Sequence, residues 1–182
     1  ADLARRAGMR SLRSFALASA ALVAGALLLG AAPPPPKVTR ILVQKTSHTM
    51  TLWAGDQEVG RYKVAIGPGG AGHKHREGDK VTPVGRYHVI SRGPSAYTVF
   101  MRLDYPNAED RRRFAALKAK GALPWNATIG GDIGIHGAPP QAEYKAEHKD
   151  WDWTLGCVAV DDDEIKEIAK RVPDGTVVDI ED

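Results

Sequence analysis

Trp153-Thr154-Leu155-Gly156-Cys157-Val158-Ala159 is the stretch on which the reading of this chain turns. Cys157 is the only cysteine in 182 residues, so it has no internal disulfide partner. Two roles remain for it: a small buried hydrophobe in a Val/Ala-rich strand, or a free thiol kept for chemistry. Thiolate is the nucleophilic form, and a thiol of ordinary pKa, about 8.5, is only a few per cent ionised at neutral pH. A reactive cysteine therefore needs a base and positive potential beside it. Gly156 lets the chain bend and brings backbone N–H groups near the thiol, where they would hold the oxyanion of a tetrahedral intermediate.

Working outward, Ile135-His136-Gly137 stands shortly upstream. His136 reads either as a satisfied core histidine or as the base that turns the thiol into a nucleophile. Gly137 permits a turn in which a backbone carbonyl orients the imidazole. Residues 138–153 between the two form a long polar loop carrying Tyr144, His148, Trp151 and Trp153, which either packs onto the core or covers a substrate.

The rest of the chain is dominated by short β-like runs. Residues 38–44 alternate and are β-branched, 49–53 follow a polar break, and 59–66 resume after Gly55-Asp56-Gln57, which predicts a three-stranded meander. Residues 67–79 hold five glycines and read as a loop. Strands are expected at 86–91, 97–103, 129–136, 156–160 and 176–180. Residues 109–120 read as a helix stopped by Gly121 and Pro124, and 162–171 as a second one, with Asp161 and Glu164 placed for a capping box. The pattern predicts one mainly β domain with two helices, and shows neither repeats nor a doubly wound sheet.

The N-terminal segment follows another logic. Arg10 and Arg13 precede a charge-free apolar run at 15–29 and the small residues Gly30-Ala31-Ala32, the pattern of a secretory signal peptide over 1–32 that starts at Met9. The run is shorter than the ~20 residues of a membrane span. Pro33 directly after Ala32 disfavours cleavage, so an uncleaved anchor is the competing reading, and membrane contact is expected only through it. No cysteine follows the run directly, which argues against a lipoprotein anchor. Residues 33–37 read as a stiff proline-rich linker, and 38–182 as the catalytic-size domain. The net charge of +3 belongs to the leader: Arg5, Arg6, Arg10 and Arg13 against Asp2 account for it, and the remainder is formally neutral. That balance gives no support to nucleic-acid binding, and Arg111-Arg112-Arg113 reads as a solvated helix face.

The order of motifs resembles the L,D-transpeptidase catalytic domain, also called the YkuD domain. His136-Gly137 and Thr154-Leu155-Gly156-Cys157-Val158 match its His-Gly and Ser/Thr-x-Gly-Cys elements. Gly72-His73-Lys74, Glu77-Gly78-Asp79 and Thr82-Pro83-Val84-Gly85-Arg86-Tyr87 are similar to its upstream stretch, after Val64-Ala65-Ile66-Gly67. The resemblance implies a β-sandwich or mixed-sheet fold, export to the periplasm or cell envelope, and a role in cell-wall biogenesis and cell shape. It implies Cys157 as nucleophile and His136 as general base, with Gly137 orienting the imidazole and the Gly156 and Cys157 N–H groups holding the oxyanion. It implies no metal and no organic cofactor. The implied partner is the peptidoglycan stem peptide, acylated at diaminopimelate with loss of D-alanine, and the implied acceptor is an amine, on a second stem or on a wall-linked protein. His73, Lys74, Thr154 and Trp153 are the substrate-binding candidates.

Leu155 and Ala159 depart from the family, which often has histidine and arginine there. Without that arginine the acceptor is open, and an L,D-carboxypeptidase or an amidase of the same fold is the alternative. Two rivals outside this chemistry are a non-catalytic peptidoglycan-binding envelope module and a metal-dependent hydrolase built on His73, His75 and His136. The acidic run Asp161-Asp162-Asp163-Glu164 reads as an ordinary complement to a helix dipole rather than a calcium site.

Overall fold

Alternation makes the first strand: β1 (Arg40–Gln44) turns Ile41 and Val43 fully inward between half-buried neighbours, the period-two pattern of a strand with one covered face. β2 (Thr49–Ala54) and β3 (Gln57–Lys63) complete the expected antiparallel meander. The structure is a computed structural model that describes residues 35–182, so the expected leader at 1–32 and the first two prolines of the linker lie outside the described residues. Among the described residues no helix is long and apolar enough to cross a membrane.

The remaining elements are β4 (Gly85–Ser95), β5 (Thr98–Leu103), α1 (Ala108–Ala119), β6 (Gly134–His136), a 3-10 turn (Ala142–Tyr144), β7 (Val158–Ala159), α2 (Asp162–Arg171) and β8 (Val177–Glu181). The eight strands make one mixed sheet in the order β3-β2-β1-β8-β4-β5-β6-β7, with β1–β8 and β6–β7 parallel and the other pairs antiparallel. Its two ends meet. Ala65, just past β3, exchanges hydrogen bonds of 3.0 and 2.8 Å with Ala159 of β7, so the sheet curls back on itself. Of the two implied architectures the structure takes the mixed sheet.

Ile41, Leu52, Tyr87, Met101, Ile135 and Val178 are among the fully buried core side chains. α2 adds Ile165 and Ile168 from one face and packs on β5 and β6, which places its N-terminus near His136. The Glu164 carboxylate accepts from the Asp161 backbone N–H at 2.8 Å, the half of the capping box that closes on the N-cap. α1 has no apolar stripe. Its one buried residue is Asp110, which accepts from the Tyr87 hydroxyl at 3.2 Å, and Asn107 caps it through the N–H groups of Glu109 and Asp110.

β3 runs over 57–63 rather than 59–66, and three further strands differ from expectation. β6 covers only the end of 129–136, because Gly130 (φ 78°) and Asp132 (φ 55°) adopt left-handed backbone ahead of it. β7 is two residues rather than five, because Gly156 (φ 128°) turns the chain immediately before it. β4 continues past Ser91 to Ser95 despite Gly93 and Pro94. Its outer half pairs with β5 alone, so the amide hydrogen that proline lacks faces no partner strand.

Candidate active site

The parallel ladder between β6 and β7 pairs Ile135 with Val158 and His136 with Ala159. Cys157 comes just before β7, in the turn rather than in a strand, and it shares a cleft of about 860 Å³ with His136. The thiol is half-buried and its Sγ donates to the Asp132 carbonyl at 3.5 Å. The turn is tied by Thr154, whose Oγ1 donates to the Cys157 carbonyl at 2.7 Å and accepts from the Gly156 N–H at 3.2 Å. A Cβ at Gly156 would stand 2.7 Å from the Val81 carbonyl oxygen, so space as well as φ requires glycine there. The Gly156 N–H is thus already engaged, whereas the Cys157 N–H donates to no group among the described residues.

His136 is 3% exposed, and its Nδ1 donates to the Gly137 carbonyl at 2.8 Å. With the proton on Nδ1, the lone pair sits on Nε2. Gly137 is needed for this closeness, since a Cβ would lie 2.6 Å from both Asp162 Oδ1 and the Tyr97 carbonyl. Three aromatic rings enclose the imidazole: Tyr97 at 4.5 Å between centroids, Trp153 edge-on at 5.6 Å and Phe100 stacked at 5.9 Å. Burial lowers the pKa of His136 to about 4, against the opposing hydrogen bond to Gly137. Burial likewise raises Cys157 to about 11, while the Gly134 backbone, Lys74 and Arg102 pull it down. The resting pair is therefore thiol and neutral imidazole.

The positive potential comes from other positions than the family's usual arginine. Ala159 is fully buried and bridged to Ala65, so that position has no opening for a charged side chain. Lys74 supplies one cation: its side chain is 3% exposed, its Nζ lies 2.6 Å from Asp79 Oδ1, and both it and Cys157 line the cleft. Burial works to raise Asp79, yet Lys74 and the N–H groups of Arg76, Val81 and His75 outweigh it and hold the carboxyl below its usual range. The glycine-rich loop that carries Lys74 is itself pinned at Gly72, by Lys45 Nζ on its carbonyl at 3.1 Å and by Asp182 on its N–H. Arg102 on β5 is the second cation, paired with Asp132 and 5.3 Å from the Phe100 ring.

Of the substrate-binding candidates, Lys74, Thr154 and Trp153 line the cleft. His73 does not: its Nδ1 is 3.0 Å from the Val84 carbonyl, outside the cleft lining. His75 is exposed, and among the described residues no three histidine, cysteine or carboxylate side chains gather as metal ligands. The acidic start of α2 fastens the loop between His136 and Cys157. Asp162 binds Lys145 at 2.6 Å, and Asp161 binds the buried His148 at 2.9 Å and Lys149 at 2.6 Å. Tyr144 and Trp151 on that loop stay exposed and edge a smaller cavity of about 340 Å³ beside Tyr97 and Trp153. Sequence reasoning missed Tyr97, Phe100, Arg102 and Asp132. The alternation of 97–103 gave a signal for one face, but nothing in it told which face meets the histidine.

The family model described as the YkuD L,D-transpeptidase catalytic domain matches residues 38–180. The chain belongs to that family. Among solved structures it is similar to the helical cell shape determining protein Pgp2 from Campylobacter jejuni, at 22% identity and TM-score 0.57, covering 81% of this chain and 48% of that one. Bd1075 of Bdellovibrio bacteriovorus matches at 22% identity and TM-score 0.53, covering 80% and 48%. An L,D-transpeptidase fragment from Xylanimonas cellulosilytica matches at 14% identity and TM-score 0.50, covering 81% and 62%. The chain spans about half the length of the first two, and these likenesses show the fold. No curated protein sequence matches the chain.

Proposed function

We propose that the protein is a cysteine-dependent L,D-transpeptidase of peptidoglycan, working in the cell envelope. The observation that carries this is the shared cleft of Cys157 and His136, with Nδ1 locked to the Gly137 carbonyl so that Nε2 is left as base. His136 takes the thiol proton as Sγ bonds to the diaminopimelate carbonyl of the tetrapeptide stem. The Cys157 N–H is the backbone donor for the resulting oxyanion, an effect worth about 3 kcal/mol. The imidazolium returns its proton to the departing nitrogen, D-alanine leaves, and a thioester remains on Sγ. An amine from a second stem or a wall-linked protein then attacks the thioester and gives its proton to His136, which restores the thiol.

A resting neutral pair suits this order of events, because the proton moves with the attack instead of before it. The aromatic rings around His136 then steady the transient imidazolium. Remodelling of stems by this route bears on cell shape, the role for which the Campylobacter neighbour is named. The test is mass spectrometry of defined muropeptides incubated with the protein and with Cys157→Ala. A tetrapeptide that has lost D-alanine and is joined to a second stem supports the transpeptidase. Free tripeptide makes it a carboxypeptidase, and release of wall-bound protein fragments makes it an amidase. Absence of any Cys157-dependent product overturns the acyl-transfer reading.

A further inference from the structure

β5, β6 and the approach to β7 lay out a grid facing the cleft. The register pairs Phe100 with His136 and Arg102 with Gly134, and on the other side His136 with Ala159. One step back along that ladder sets Cys157 beside Gly134, whose backbone supports the thiolate. Arg102 and Cys157 thus flank Gly134, roughly 10 Å apart at Cα, two strand spacings. Gly134 has no side chain, and the Phe100 ring lies over it with the Arg102 guanidinium 5.3 Å from that ring. A ligand held by the guanidinium therefore reaches the thiol by running across the Phe100 ring.

Three cationic side chains line the cleft, and their partners set them apart. Lys74 is buried against Asp79. Arg92 spends its guanidinium on the Ala169 and Val172 carbonyls and on Asp174. Arg102 is 42% exposed and its ion-pair partner Asp132 is 83% exposed. An exposed pair of that kind contributes little and exchanges readily for another carboxylate. A guanidinium binds a carboxylate through two parallel N–H bonds, which fixes direction as well as charge.

We infer that Arg102 reads the free C-terminal carboxylate of the substrate stem, holding the leaving D-amino acid while Cys157 attacks the bond before it. This rests on the acyl-transfer reading above. The leaving nitrogen must face His136 to receive its proton, and the carboxylate of an α-amino acid lies two bonds beyond that nitrogen. On the grid, Arg102 is the next outward position along β5 from Phe100, which stacks on His136. The arrangement selects a terminal residue with a free carboxylate over an internal peptide bond.

The experiment titrates the Cys157→Ala protein with a stem tetrapeptide ending in D-alanine and with its C-terminal amide. The acid is expected to bind about tenfold tighter than the amide, the size of one charge-assisted contact. Adding Arg102→Gln should make the two ligands bind alike, and Arg102→Lys should retain an intermediate preference. Arg102→Gln that keeps the full acid preference overturns the inference, as does Cys157→Ala protein that shows no preference. If glutamine impairs folding, the lysine variant decides by the same ratio. Release of D-alanine by the unmodified protein is measured in parallel. Its absence alongside an Arg102-dependent acid preference overturns acyl transfer and leaves the carboxylate contact standing.

Discussion

On the β3-β2-β1-β8 side, strands of five to seven residues pair end to end, with one register shift between β2 and β3 at Leu52/Trp53, and bury Ile41, Val43, Met50, Leu52, Val178 and Ile180. On the β6–β7 side the strands shrink to three and two residues, and turns with left-handed backbone at Asp132 and Gly156 interrupt them. The difference coincides with the candidate site. Each residue released from the ladder frees a backbone group, and the site is made of such groups: the Asp132 carbonyl on the thiol, the Gly137 carbonyl on the imidazole and the uncommitted Cys157 N–H. The long strands hold stability so that the short ones can leave polar groups free.

The largest effect expected is the loss of chemistry without loss of fold. Cys157→Ala should abolish muropeptide product while lowering the unfolding free energy by no more than about 1 kcal/mol, since a half-buried thiol with one weak hydrogen bond holds little together. A large loss of stability would make Cys157 a structural thiol after all and erase the contrast between the halves.

Next in size is the proposed base. His136→Asn should slow product formation by about 10² to 10⁴. The pH dependence carries a sign. Folding lowers the His136 pKa from 6.5 to about 4, so between those values the unfolded chain binds more protons. Stability should therefore fall as pH drops from 6.5 through 4, by up to about 3 kcal/mol, and kcat/KM should fall as the free enzyme protonates near 4. Urea unfolding at a series of pH values checks the first, and His136→Asn should flatten that slope.

What the sequence could tell divides along the same line. The meander, both helices and the Gly-rich loop were legible because alternation, capping residues and glycine content are local signals. Cys157 and His136 were legible through flanking glycines and motif order. Strand ends at 129–133 and 156–157 were not, because a left-handed Asp132 is set by tertiary contacts and not by a pattern in its neighbours. Arg102 was illegible for a different reason. The role inferred for it depends on which strand of a curled sheet lies beside β6, and register is not written in the residue itself.

Gly156→Ala comes third and probes the turn. The left-handed φ of 128° and the 2.7 Å approach to the Val81 carbonyl both resist a methyl group. A loss of about 1–3 kcal/mol in urea is expected, with activity falling further than stability because the turn carries the proposed nucleophile. Equal losses of both would mean that the turn serves only the fold.

The smallest effect belongs to the regular half. Ile41→Val removes one methylene from a fully buried position on β1, where it faces Leu52 in register with β2 and Val178 in register with β8. A cost of about 1 kcal/mol follows from lost transfer energy and a small void. β1 contributes no side chain to the cleft, and β8 and β4 stand between it and β5 in the sheet order, so kcat/KM should stay unchanged. The measurement pairs urea unfolding with muropeptide turnover in the same preparation. If turnover drops along with stability, the long strands and the short ones respond as one body. The site would then depend on the packing of the whole sheet rather than on the groups its shortest strands release.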